Sequence, residues 1–220
     1  MATVLVYNLP MREVKLFDPE TFYSEINEAI ARGKYVNQLQ GFLREYDDYR
    51  AVMEPLFSKF NNPVENIFAF KVTYQWERLV TRTSEINGNQ NFNKLAKMIV
   101  KSMRWQNDQM HGFYLDKLDG KHLFDPRHYC WFAPYWEDEP HPLIHTDQVK
   151  ISFFDFEKHP KIHMTFDYGD DHNFDIEMVG KRSMAGHEKS TMFPRVIKHL
   201  GRARAQYPNI DENTGEYKNI

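Results

Sequence analysis

Between Lys161 and Val179 the chain reads KIHMTFDYGDDHNFDIEMV, and no other stretch restricts the fold as tightly. Ile162, Met164, Phe166 and Tyr168 alternate with Lys161, His163, Thr165 and Asp167. After Gly169-Asp170-Asp171 the alternation resumes with Phe174, Ile176 and Met178. Successive side chains of a strand point to opposite faces, so a period of two on both sides of a short Gly/Asp turn predicts a β-hairpin with one buried face.

A buried sheet face needs apolar material to cover it. With 220 residues, 41% of them hydrophobic and 15% aromatic, the chain has enough for a sizeable core. The net charge of −3 excludes a global basic field, so any binding of nucleic acid has to be local. A single cysteine, Cys130, excludes an internal disulfide framework and a cysteine-based zinc cluster and fits a reducing compartment. The opening MATVLVYNLPMREV lacks a basic stretch and a small-residue cleavage site, and no apolar run approaches the ~18 residues of a membrane span. The expectation is a soluble cytoplasmic protein that does not engage membranes.

Residues 1–62 read as a helical accessory. Asp18-Pro19-Glu20 resembles an N-cap followed by a first-turn proline, opening a helix with Phe22, Ile26 and Ile30 on one face and a stop at Gly33. Val36, Leu39, Leu43, Tyr46, Met53, Phe57 and Phe60 then recur at steps of three and four, interrupted at Arg50, and Pro55 is expected to kink or end that helix near Glu54. The seam suits a helical hairpin, or a homodimer contact. Asn61-Asn62-Pro63 marks a boundary. Phe68, Phe70, Val72 and Tyr74 alternate as a strand, and Phe92, Leu95, Ile99 and Met103 recur as a helix. Residues 116–146 are broken by prolines and crowded with Tyr129, Trp131, Phe132, Tyr135 and Trp136, an aromatic lid or a stacking platform. Val149, Ile151 and Phe153 suggest another strand, Phe193-Pro194 the start of a helix carrying Val196, Ile197 and Leu200, and residues 211–220 a polar tail.

Several of these residues carry a resemblance. Phe166-Asp167-Tyr168-Gly169-Asp170 followed by Ile176, the opening Val72-Thr73 with Trp76-Glu77-Arg78, the trio Trp105, His111 and Phe113, and the closing Gly201 with Gln206-Tyr207-Pro208 occur in the order seen in the plasmid pRiA4b ORF-3-like family. The similarity spans roughly residues 63–210. The family signature usually has Trp where this chain has His172, and often His where it has Phe174. The resemblance implies a non-enzymatic interaction module of mobile-element or phage context.

Two kinds of chemistry are open. Lys181, Arg182, Lys189, Arg195, Lys198, Arg202 and Arg204 face one acid, Glu188, within Lys181–Arg204, so this segment is a candidate phosphate contact for a protein or nucleic-acid partner, together with Tyr129, Trp131 and Trp136. The same charges also suit a solvated face. Alternatively, Asp167 and Asp175 with His111 or His172 would hold a divalent metal in an enzyme acting on nucleic acid or a nucleotide. Turn-forming Asp explains the carboxylates equally well. The pairs His141/His145 and His159/His163 contain prolines and do not chelate by spacing, and no GxSxG, P-loop or dinucleotide fingerprint is present. Ser24 and Ser58 sit in helical settings, which excludes a serine recombinase on sequence grounds. The fold expected is α+β, a mostly antiparallel sheet covered on one face by helices near Leu95 and Val196, with the N-terminal helical hairpin attached.

Overall fold

A computed structural model describes residues 19–33, 36–57, 66–115, 146, 147 and 149–207. Among them β1 (Asn66–Tyr74), β2 (Thr81–Asn87), β3 (His111–Tyr114), β4 (Lys161–Phe166), β5 (His172–Ser183) and β6 (Arg195–Leu200) form one antiparallel sheet in the order β3-β4-β5-β1-β2-β6. The architecture is α+β.

The predicted hairpin is β4–β5, paired from Phe166 opposite His172 to Lys161 opposite Glu177. Ile162, Met164, Phe166, Phe174 and Ile176 are at most 1% exposed. Burying side chains of this size contributes roughly 1.5–3 kcal/mol each, enough to fix the register. The turn differs from expectation in its details. Asp167 (φ 59°) and Asp171 (φ 53°), rather than Gly169, take the left-handed conformation. Asp167 Oδ1 accepts the N–H groups of Gly169 (3.0 Å) and Asp170 (3.3 Å), local bonds that make this conformation tolerable for Asp. The alternation therefore stops at Phe166, leaving Asp167 buried and Tyr168 half-exposed.

The inner face is covered by α3 (Phe92–Ser102) and by residues 149–156. The Asn91 side chain caps α3 by accepting the Lys94 N–H at 3.0 Å, and Phe92, Leu95, Ala96, Ile99 and Val100 are fully buried. Phe92 meets Phe113 edge-on with ring centres 5.1 Å apart, and Phe156 meets Phe70 at 4.8 Å. Preceding the sheet in the chain is a hairpin of α1 (Pro19–Ala31) and α2 (Val36–Phe57), in which Phe22 stacks on Tyr46 at 3.6 Å.

Three local expectations are corrected. Val149, Ile151 and Phe153 do not form a strand; Ile151–Phe153 is a single 3-10 turn, because the Ile151 and Ser152 N–H groups donate to Gln90 and Gly88 carbonyls in the β2–α3 connection. Arg195–Leu200 is a strand rather than a helix: β2 offers an unpaired edge, and β-branched Val196 and Ile197 suit it. One of the two helices expected over the sheet is thus part of the sheet. Pro55 lies within α2, which continues to Phe57; so near the end of a helix the missing donor affects only the last turn.

Candidate functional site

Asp167, Asp175, His111 and His172 do not converge. His111 and His172 both stand opposite Phe166, on its two sides, placing them about two strand spacings, ~10 Å, apart. His111 is buried beside Thr146 Oγ1 (3.3 Å), and burial, with Lys97 nearby, pushes its imidazole down to about 4. His172 Nε2 lies 3.1 Å from the Gln206 carbonyl and therefore donates; Nδ1 then accepts from the Tyr74 hydroxyl at 3.0 Å. Its ring centre is 4.4 Å from that of Trp105, and burial lowers its pKa. Asp175 faces the opposite side of the sheet, where it accepts from Gln75 (2.6 Å) and pairs with His163 Nδ1 (2.9 Å). Among the described residues no group of three or more His, Cys, Asp or Glu is placed to hold a metal ion.

The basic run divides. Arg182 and Arg195 are locked in a network with two acids. Arg182 donates to Glu85 Oε1 (3.0 Å) and Glu188 Oε2 (2.6 Å), and Arg195 donates to Glu85 Oε2 (2.5 Å) and Glu188 Oε1 (2.9 Å). The Arg182 guanidinium, helped by the Ala185 N–H, holds the Glu188 carboxyl at about 2. Lys181 pairs with Glu157. Lys198 is exposed on β6. Tyr129, Trp131 and Trp136 lie outside the described residues.

Arg202 and Arg204, the latter also paired with Glu77 at 2.8 Å, line a cleft of about 840 Å³ between the end of α3 and the segment after β6. One wall is Lys101, Ser102, Arg104, Trp105 and Gln106; the other runs from Gly201 to Tyr207; Arg82 reaches in from β2. Trp105 Nε1 donates to the Arg204 carbonyl (2.9 Å), and the Gln106 N–H to Gln206 Oε1 (2.7 Å), so the walls are tied together across the opening. The lining holds five permanent cations, Arg82, Lys101, Arg104, Arg202 and Arg204, and no carboxylate.

Arg82 is the decisive residue. It is 4% exposed, and its guanidinium donates only to carbonyls, those of Ser102 (3.1 Å), Thr81 (2.8 Å), Leu200 (2.8 Å) and Gly201 (3.2 Å). Among the described residues no carboxylate pairs with it. Burial, and after it the charge of Arg104, lower its pKa. Arg104 is itself unusual, holding φ 66° just past the helix end, where Trp105 N–H reaches back to the Val100 carbonyl at 3.3 Å. Glycine is the usual occupant of such a position.

The model of the family described as plasmid pRiA4b ORF-3-like protein matches residues 66–208. The chain belongs to this family. The match contains the whole sheet, α3 and the cleft, so every cleft residue of this pRiA4b ORF-3-like chain lies inside it. No curated protein matches the chain. Among solved structures, a protein of unknown function, MM3350 from Methanosarcina mazei Go1, superposes with a TM-score of 0.51 at 16% identity, over 64% of this chain and 73% of its own. That likeness concerns the fold.

Arg82, Lys101 and Arg104 were not legible as site residues. TRTSEIN lacks apolar alternation, so β2 gives no strand signal from which Arg82 could be placed facing inward. Lys101 and Arg104 read as the ordinary basic end of a helix.

Proposed function

We propose that this chain is a non-enzymatic nucleic-acid-binding module that grips the phosphate backbone in the cleft of Arg82, Lys101, Arg104, Arg202 and Arg204. The observation that carries the reading is the cleft lining, in which Arg82, Lys101, Arg104, Arg202 and Arg204 gather with no carboxylate among the lining residues, Glu77 pairing with Arg204 from outside it. Phosphate oxygens are the counter-charge that arginine clusters match best. The plasmid in the family description supports a mobile-element or phage setting, in the cytoplasm. Among the described residues no helix is long and apolar enough to cross a membrane. A protein partner, including a second copy docked through α1 and α2, is the competing occupant.

The test is a fluorescence-anisotropy titration of labelled oligonucleotides over a salt series. The log of the affinity is expected to fall linearly with the log of salt, by about 0.7–0.9 per phosphate neutralised. Arg104→Glu and Arg202→Glu each weaken binding at least about tenfold and flatten that slope. Salt-independent binding, or variants that bind like the parent, would overturn the reading in favour of a protein partner.

A further inference from the structure

We infer that the cleft takes an unpaired strand, whose bases stack on Trp76 and Tyr207 while its phosphates enter between the arginines; this rests on the nucleic-acid reading above. Trp76 is 50% exposed in the β1–β2 turn, and Tyr207 is 48% exposed on the cleft wall. Both rings are held in place. The Arg204 guanidinium lies 5.3 Å from the Trp76 ring centre and donates to Glu77 Oε1 at 2.8 Å, joining the tryptophan's turn to the cleft. The Tyr207 hydroxyl donates to Asp108 (3.2 Å) and accepts from Gln206 Nε2 (2.9 Å), fixing the ring by its tip while much of its surface remains open.

Shape and chemistry select the strand form. Duplex readers push a helix or a β-ribbon into a groove, whereas these cations line a concavity. In a duplex the base faces are occupied by their neighbours; an unpaired base offers its own to an aromatic ring. Two exposed rings beside a groove rich in arginine is the combination that follows a single strand through stacking and charge together.

The experiment compares a single-stranded oligonucleotide, an abasic strand of the same length and the corresponding duplex, titrated against the full chain and against Trp76→Ala, Trp76→Phe and Tyr207→Ala. The base-bearing strand is expected to bind about a hundredfold tighter than either competitor, about tenfold from each ring. Trp76→Ala and Tyr207→Ala each lower the ratio of base-bearing to abasic affinity by about tenfold, and Trp76→Phe keeps most of it. Equal binding of all three probes, unmoved by the ring variants, would overturn the stacking inference while leaving phosphate binding intact. Failure of every probe to bind would overturn both.

Discussion

Arg104 joins two demands that pull in opposite directions. A side chain at φ 66° costs about 1–2 kcal/mol relative to ordinary helical backbone, a cost glycine escapes. Arg104→Gly is therefore expected to raise stability by up to about 1 kcal/mol, after the greater freedom of glycine in the unfolded chain is subtracted. The same change removes a cleft cation and, on the proposed phosphate-binding reading, is expected to weaken oligonucleotide binding. Urea denaturation and anisotropy on one variant read both effects. A loss of stability would show that the arginine side chain is needed for folding rather than for a ligand. His172 makes the contrasting case. Both its nitrogens are engaged and its ring packs on Trp105, so here it tethers the Gln206 segment to the sheet.

At the scale of elements, the segment leaving β6 defines the cleft, and Gly201 sets its course. With φ 69°, it passes so close to the β1–β2 turn that an added Cβ would lie 2.8 Å from the Leu79 carbonyl oxygen and 3.1 Å from Val80 Cα. Gly201→Ala combines left-handed strain with overpacking against backbone that cannot yield, and is expected to cost about 2–4 kcal/mol. Thermal denaturation gives the magnitude. Gly186→Ala, with nothing within 4 Å of the added carbon, is the matched control, expected to change little. Elements whose burial obeys one period were readable from the sequence: β1, α3 and the β4–β5 hairpin. β6 was not, because the spacing of Val196, Ile197 and Leu200 satisfies a helix as well as a strand, and only the edge of β2 decides between them. The partners of the basic run were hidden for a related reason: Glu85, Glu157 and Glu77 lie far from it in sequence, so charges that seemed free are largely neutralised by the fold.

For the molecule as a whole, two buried neutral histidines predict a pH dependence. Both His111 and His172 have folded pKa values below the ordinary 6.5, so the unfolded chain takes up protons first as pH falls. Their contribution is fully present above about pH 7 and declines as pH drops through 6.5. For His111 the decline continues to about 4 and amounts to about 3 kcal/mol. Glu188, held at about 2, adds a further loss as pH falls from the ordinary carboxylate value of 4.5 towards 2. Denaturant titrations between those limits should show a steep fall for the parent and a shallower one for His111→Phe. Parallel curves would mean that His111 titrates alike in both states.

The bonds that join the two cleft walls connect residues about a hundred positions apart, Trp105 to Arg204 and Gln106 to Gln206. A growing polypeptide emerging from the ribosome therefore carries Arg82, Lys101 and Arg104 long before their counterparts are made. The two walls cannot be joined until both stretches exist, so the cleft is a product of long-range folding and no short segment of the chain can form it alone.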